Sequence, residues 1–231
     1  MSNGNSRRDE VKAENRKMKN MSWSQRAEHI WEYYKIHICG TIFAIAIIIA
    51  ITTAIRSNQY ESVCTTVIAD GYMTGFKDHT DALTTGFTEY LGINGKSERV
   101  TFNNAFSLIA QEGDTDAYYS AEKIVSMAAT SSVDGFMASM DYIAYFSDDE
   151  ELFLTDLREV FTNAQLAQLG DALLYYTMED GTKIPFAVNL SDTKSVTETD
   201  LYMAEPCFGI VTTAPYRENA VSFIKYAFDI E

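Results

Sequence analysis

Polar and small residues stand where three predicted β-strands end, and their side chains would supply hydrogen bonds to a ligand. They are Asp70, Gly71, Tyr72, Asn103, Asn104, Ser139 and Asp141. Open α/β sheets bind ligands beyond the carboxyl ends of their strands, so these positions predict one shallow polar groove. Asp, Asn, Ser and Gly are also the usual residues of turns and helix caps, and that alternative stays open.

Catalytic chemistry is not expected from this chain. His79, within KDHTD, is the only histidine after the apolar segment 36–55, and a Ser-His-Asp or Cys-His mechanism would need it as the base. No G-x-S-x-G nucleophile motif occurs, and Asp78 and Asp81 make this stretch typical of a solvated helix start. The acidic stretch EGDTD, residues 112–116, does not have EF-hand spacing, and no zinc-site spacing is present. We therefore expect no enzyme, no metal and no cofactor.

The apolar segment itself, residues 36–55, reads IHICGTIFAIAIIIAITTAI and contains no Asp, Glu, Lys or Arg. A helix of this length spans about 30 Å, which is the thickness of a bilayer's hydrocarbon core. The apolar part of a secretory signal is usually about 7–15 residues long, so the length favours an uncleaved anchor over a cleaved signal peptide. We therefore assign residues 36–56 to a single-pass transmembrane helix in the cell membrane.

The two flanks of this segment differ in charge. Residues 1–35 hold eight Lys and Arg against five Asp and Glu, whereas residues 57–231 hold nine against twenty-eight. Basic residues near a membrane stay on its cytoplasmic side, so we expect residues 1–35 in the cytoplasm and residues 57–231 outside the cell. The acidic charge of the C-terminal domain argues against a nucleic-acid partner, because a phosphate backbone needs Lys and Arg.

Residues 22–35, SWSQRAEHIWEYYK, are the part of the N-terminal segment with helical periodicity. Their apolar residues include Trp23, Ala27 and Trp31 at roughly helical spacing. Two interpretations remain open. The stretch either forms an amphipathic helix that lies on an anionic leaflet, or it extends the anchor helix into the cytoplasm.

Strand and helix patterns alternate through residues 57–231, a length that suits one domain with its own core. Short β-branched or alternating runs predict strands, and apolar residues at helical spacing predict a helix after each strand. The predicted strands are residues 64–71, 98–106 and 133–139, and the second helix has an apolar face of Ala121, Ile124, Val125 and Ala128. This order predicts an α/β fold with a mixed, mostly parallel sheet flanked by helices.

Later signals extend this pattern towards the C-terminus. Thr162 followed by Gln165 predicts a capping box, and Asp180-Gly181 predicts the turn of a β-hairpin. PCFGIVTT predicts a further strand, before a last helix that Pro215 opens. The two cysteines of the outer domain, Cys64 and Cys207, lie in strand-like runs, where either a disulfide or two buried thiols would fit.

Three phrases of this domain resemble segments of type-2 extracytoplasmic solute-binding proteins. They are LTDLREVF, DGTKIPFAVNLSD and FGIVTTAPYRENAVSFIKYAF, which occur in the family's order over roughly residues 64–230. The resemblance implies a binding lobe in which the last phrase supplies a closing strand and helix. The anchor and its YYK-x-H preface are similar to single-pass surface proteins of Gram-positive bacteria.

The chain departs from that family where a second lobe would be inserted. Only about twenty residues separate Pro185 from Phe208, and one βαβ unit alone needs about 30. We therefore expect one open lobe rather than a clamshell that encloses its solute. The expected function is a membrane-anchored extracellular module that binds a small solute, a peptide or a surface protein weakly. The alternative is a structural accessory subunit of a membrane complex with no ligand of its own; the lipid bilayer is a partner in both cases.

Overall fold

A computed structural model describes residues 22–57, 60–71, 80–95, 97–109, 115–146, 153–178, 180–199 and 205–230, together with Asp9, Lys12 and Arg16. The chain divides into two compact units, Met1–Gln59 and Tyr60–Glu231.

The first unit contains one long helix, α1, which runs from Trp23 to Ser57. Its part from Tyr34 to Arg56 is long and apolar enough to cross a membrane. The helix is continuous through residues 23–35, which is the geometry of the extension interpretation rather than of a separate surface helix. Within the apolar part, Thr41 donates its hydroxyl proton to the carbonyl of His37 at 2.8 Å, so that hydroxyl is satisfied inside the helix.

The second unit is an α/β domain. Its strands are β1 Glu61–Ala69, β2 Glu98–Phe106, β3 Gly135–Ser139, β4 Leu173–Thr177, β5 Lys183–Asn189 and β6 Pro206–Ile210. Its helices are α2 Thr80–Leu91, α3 Asp116–Ala129, α4 Met140–Tyr145, α5 Asn163–Leu169, α6 Lys194–Thr197 and α7 Arg217–Phe228. Two short 3₁₀ turns, Leu157–Glu159 and Gly170–Ala172, lie between α4 and β4.

One six-stranded sheet has the order β2-β1-β3-β6-β5-β4. β1 is parallel to both β2 and β3, whereas β6 is antiparallel to its neighbours β3 and β5, and β4 is antiparallel to β5. The mixed α/β sheet is therefore confirmed, but the prediction of a mostly parallel sheet is wrong. The reason is that β6, the last strand in the sequence, enters between β3 and β5 in the opposite direction.

Apolar side chains cover both faces of the sheet. On one face, α2 and α7 pack their aromatic residues Phe87 and Phe223 together, with ring centroids 5.2 Å apart, and Phe208 of β6 lies 4.7 Å from Phe223. On the other face, α3 and α4 pack over Phe136, whose ring meets that of Phe146 at 5.1 Å. Each face buries its own aromatic cluster, so the sheet divides the domain into two apolar layers.

Several local predictions are confirmed by the structure. Thr162 accepts a hydrogen bond from the Gln165 amide at 3.3 Å, and the Gln165 side chain accepts from the Thr162 amide at 3.0 Å, which completes the capping box. Gly181 has a φ of +82° in the turn between β4 and β5. The predicted apolar face of α3 is wrong at Val125, whose side chain is 52% exposed. The helix turns Ile124 and Ala128 towards the sheet instead.

Cys64 of β1 and Cys207 of β6 are free thiols, and both are fully buried. β3 lies between their strands, which places the two backbones about 10 Å apart at ordinary strand spacing, beyond the reach of a disulfide. Burial raises the pKa of each thiol to about 12. The buried-thiol interpretation is therefore the one the structure shows.

Candidate functional site

Asp70, a predicted site residue, directly follows the last residue of β1. Its Oδ1 accepts hydrogen bonds from the Ser107 hydroxyl at 2.9 Å and from the amides of Leu108 at 2.8 Å and Ile109 at 3.3 Å. Asp70 has a φ of +54°, a left-handed conformation that Asp tolerates better than most residues. The carboxylate thus fixes the segment after β2 against the end of β1, which is the role of a turn residue.

The second oxygen of Asp70 has no such role. Oδ2 is buried and has no hydrogen-bond partner among the residues that the structure describes. Burial, then the charges of Asp70 and Asp141, raise the pKa of the nearby Tyr142 hydroxyl. Gly71 follows Asp70 and is half-buried, whereas Tyr72 lies outside the described residues. This corner of the domain is therefore electronegative.

Asn103 and Asn104 lie inside β2 rather than beyond its end, so their predicted position was wrong. Asn103 pairs with Val67, and the extra residue between this pair and the next makes a β-bulge at Asn104 and Ala105. The Asn103 side-chain oxygen accepts the Ala105 amide at 3.1 Å. Asn103 therefore supports the bulge of an edge strand, and the sheet does not bring the two asparagines to the end of β1.

Ser139 and Asp141 stand at the junction of β3 and α4. Ser139 is the last residue of β3 and the N-cap of α4, although its side chain makes no capping hydrogen bond. Asp141 is exposed in the first turn of α4, where a negative charge suits the helix dipole. Of the predicted set, Asp70 and Asp141 both lie close enough to Tyr142 for their charges to act on its hydroxyl.

A pocket of about 370 Å³ lies at the same edge of the sheet, on the α2 and α7 face. β5 runs in the direction of β3, so α6, which follows β5, lies at the carboxyl ends of the parallel strands. α7 starts at the opposite edge, where the Tyr216 hydroxyl donates to Glu61 at the start of β1, and it runs back towards this one. The start of α2, α6 and the end of α7 thus meet where the sequence predicted a ligand.

The pocket is lined by residues that the sequence analysis did not select. They are Ala82, Leu83, Lys194, Ser195, Glu198, Thr199, Tyr226, Ala227 and Asp229. The lining residues in α6 and next to it belong to a polar stretch after β5, which the sequence pattern indicates only as a connecting segment. The available signal was a polar stretch directly after β5, a strand that has the same direction as β1. The direction of β5 cannot be read from the sequence.

Hydrogen bonds hold the α6 side of the pocket. The Thr193 hydroxyl donates to the carbonyl of Leu190 at 2.7 Å, and the hydroxyls of Thr193 and Ser195 lie 2.8 Å apart. Ser195 is only 5% exposed although it lines the pocket. The side chain is therefore fixed in place before any ligand arrives.

Tyr226 forms the α7 side of the pocket. Its ring packs against those of Tyr90 at 5.3 Å and Phe87 at 5.6 Å. Burial raises the pKa of the Tyr226 hydroxyl, and the charges of Glu198, Asp229 and Glu89 raise it further. The hydroxyl therefore stays protonated at neutral pH, within a negative field.

Asp134, directly before β3, is a buried acid that the sequence analysis missed, because Val-Asp-Gly reads as the start of a strand. Its Oδ2 accepts the Thr65 amide at 2.7 Å and its Oδ1 accepts the Tyr216 amide at 2.6 Å. Burial raises the pKa of this carboxyl. Asp134 ties β1 and β3 to the start of α7 at the edge opposite the pocket, so its role is structural.

Most of the residues considered for catalysis or metal binding lie outside the part of the chain that the structure describes. His79 and Glu112 to Asp114 lie outside the described residues, and Asp116 is the first residue of α3. Within the described ranges, no group of three or more His, Cys, Asp or Glu is arranged to hold a metal ion.

Comparison with protein-family models, with curated proteins and with solved structures finds no match to this chain. The resemblance to solute-binding proteins therefore stays a prediction. Fold and site rest on the observed sheet order and on the geometry of the pocket.

Proposed function

We propose that this chain is a membrane-anchored binding module whose C-terminal domain binds a small solute in the pocket between α2, α6 and α7. The observation that carries the proposal is the position of that pocket at the carboxyl ends of β1, β3 and β5. Ligands of open α/β sheets bind at this edge. A volume of about 370 Å³ lies towards the small end of ligand pockets, which suits a compact molecule.

α1 supports the membrane part of the proposal. None of the segment Tyr34–Arg56 is buried within the chain, and its ends carry Lys35 and Arg56. An apolar helix with every side exposed is stable when lipid or other apolar helices surround it. The basic segment 1–35 then faces the cytoplasm and the acidic domain faces the exterior.

The place of β6 supports the likeness to one lobe of a solute-binding protein. The strand of the closing phrase, Pro206–Ile210, lies in the middle of the sheet, and α7 of the same phrase covers the sheet beside α2. Only α6 is described between β5 and β6, so no second lobe closes over the pocket from this stretch. We therefore propose weak, readily reversible binding.

A thermal-shift screen of the full-length chain in lipid nanodiscs tests this function. Solutes of each charge class are added to the native chain and to Ala82→Phe, which places a ring inside the pocket. A solute that stabilises the native chain and not Ala82→Phe supports the proposal. Equal stabilisation of both chains by every active solute contradicts it.

Protease treatment of intact cells tests the proposed orientation. Cleavage of the C-terminal domain, with residues 1–35 protected, is the expected outcome. Protection of the C-terminal domain would place it in the cytoplasm and remove the extracellular part of the proposal.

A second candidate function is that of a structural subunit anchored through α1. The exposed apolar segment favours it, since packing against other membrane helices would cover that surface. Scrambling residues 36–55 at constant hydrophobicity should then abolish co-purification of membrane partners. Unchanged co-purification would contradict this role.

A further inference from the structure

We propose that the pocket between α2, α6 and α7 recognises an ammonium group, so that its ligand is a small amine or an amino acid. The inference rests on the proposed function, because it assigns a ligand class to the same pocket. Four features of the pocket wall support it: the Ser195 hydroxyl, the carboxylates of Glu198 and Asp229, and the ring of Tyr226.

The Ser195 hydroxyl can only accept a hydrogen bond from a ligand. A carbonyl oxygen has no proton, so the Thr193 hydroxyl must be the donor to Leu190. Thr193 has only one hydroxyl proton, so Ser195 must donate its own proton to Thr193. The Ser195 oxygen therefore has lone pairs free to accept a hydrogen bond at the pocket wall, and an ammonium N–H is one donor that could fill them.

Two carboxylates line the pocket beside Ser195. Glu198 follows α6, and Asp229 is the C-cap of α7 with a φ of +52°. The C-terminal end of a helix carries partial negative charge, so α7 adds to the negative field of Asp229. Both groups accept hydrogen bonds and favour a positive ligand.

Tyr226 supplies an aromatic surface in the same pocket. A cation over an aromatic face is attracted by the negative potential of the ring, and more strongly when the cation has lost its water. The ring is held by Tyr90 and Phe87, so this surface does not depend on the ligand for its position.

Lys194 is the cation of the pocket wall. Among the described residues, the ion pairs are Arg158 with Asp156 and Arg217 with Glu159, and neither lies in the pocket. Lys194 is therefore not neutralised by Glu198 or Asp229, and it would attract the carboxylate of an amino acid. An ammonium group is the chemistry that simple amines and amino acids share.

Four probes with the same carbon number distinguish the ligand classes. We would record saturation-transfer NMR for 1-aminobutane, 2-aminobutanoate, 1-butanol and butanoate with the full-length chain in nanodiscs. We expect 1-aminobutane or 2-aminobutanoate to bind, and the double substitution Glu198→Gln and Asp229→Asn to weaken that binding roughly tenfold or more, since charged hydrogen bonds are lost. Asn tolerates the left-handed backbone at position 229, so the variant keeps its fold. Glu122→Gln, on the other face of the sheet, is the matched charge control and should change nothing.

The outcomes separate this inference from the proposed function. Butanol or butanoate that binds as well as the amines, and is blocked by Ala82→Phe, overturns ammonium recognition and leaves the pocket as a solute site. Amine binding that neither the double variant nor Ala82→Phe weakens overturns the inference, since it occurs elsewhere. No binding by any of the four probes overturns the inference, and the broader thermal-shift screen then decides the proposed function. If 2-aminobutanoate binds and 1-aminobutane does not, Lys194→Met should remove that binding, and retained binding would show that Lys194 does not bind the carboxylate.

Discussion

The hydroxyl of Tyr226 in α7 lies directly over Gly86 in α2, so close that a Cβ atom at position 86 would collide with it. The next atom of the ring, Cζ, would lie 3.4 Å from that Cβ, an ordinary contact distance. Gly86 thus lets the two helices approach at the wall of the pocket. The missing side chain, rather than any special backbone conformation, is what the position requires.

Gly86→Ala tests this contact. Replacing an interior helical Gly by Ala normally stabilises a helix by about 1 kcal/mol. Here we expect a net loss of about 1–3 kcal/mol, since the added methyl displaces Tyr226 from a packed wall. Thermal unfolding of the C-terminal domain measures the change, and Thr85→Ala, exposed in the same helix, is the control and should not destabilise.

Tyr226→Phe should rescue Gly86→Ala, because it removes the atom that collides. The double variant is expected to regain most of the lost stability. A double variant that is as unstable as Gly86→Ala alone would show that the collision is not the cause.

Asp134 should make stability depend on pH in a defined direction. Its pKa is raised above the unfolded value of 3.8, so the folded chain binds the proton more tightly. Stability from this group is therefore present below the unfolded pKa, falls as pH rises through the raised folded pKa, and is constant above it. Denaturant unfolding of the native chain and Asp134→Asn, compared between pH 4 and pH 8, measures the difference.

Asp134→Asn should also lower stability by about 1–3 kcal/mol, because one of the two amides it accepts loses its partner. The loss should be larger at pH 4 than at pH 8. A difference between the two chains that grows as pH rises would contradict the sign of the pKa shift.

Cys64 and Cys207 should remain free and unreactive in the folded chain. Both are buried, and a pKa of about 12 leaves almost no thiolate at neutral pH. In a Cys39→Ser background, mass spectrometry should find both thiols unmodified after iodoacetamide treatment and both alkylated after treatment in denaturant. A mass lower by two hydrogen atoms, which indicates a disulfide, would contradict the structure. Rapid alkylation of the folded chain would contradict it as well.

Asp70 distinguishes a turn role from a ligand role. Asp70→Asn keeps an acceptor oxygen for the amides of Leu108 and Ile109 and tolerates the positive φ, so it should change stability little. Asp70→Ala removes the acceptor and should cost about 1–3 kcal/mol. Equal stability of the two variants in denaturant unfolding would show that these hydrogen bonds do not contribute to the free energy of unfolding.

Much of the fold could be predicted because its signals are local. β2 has the predicted bounds, and the capping box at Thr162 and the turn at Gly181 are where their motifs placed them. The sheet order could not be predicted in this way, since nothing in the residues of β6 records that it enters between β3 and β5. The prediction of a mostly parallel sheet was wrong for that reason.

The candidate site, like the fold, was predictable only in part. The pocket lies at the edge of the sheet that sequence reasoning selected, because that edge follows from strand direction in any open α/β fold. Sequence reasoning also selected Asn103, but this residue lies inside β2, next to a β-bulge, and not beyond the end of the strand. It missed Ser195 and Tyr226, which come together only through the packing of α6 and α7 against α2.

Alanine methyl groups offer the most direct test that the pocket binds a small solute with an ammonium group. Ala82 and Ala227 line the pocket, whereas Ala129 is exposed at the end of α3 on the opposite face of the sheet. With the full-length chain methyl-labelled at alanine, addition of 1-aminobutane or of 2-aminobutanoate should shift the signals of Ala82 and Ala227 and leave that of Ala129 in place. A shift at Ala129 with Ala82 and Ala227 unchanged would contradict the account, as would three unchanged signals at saturating concentration.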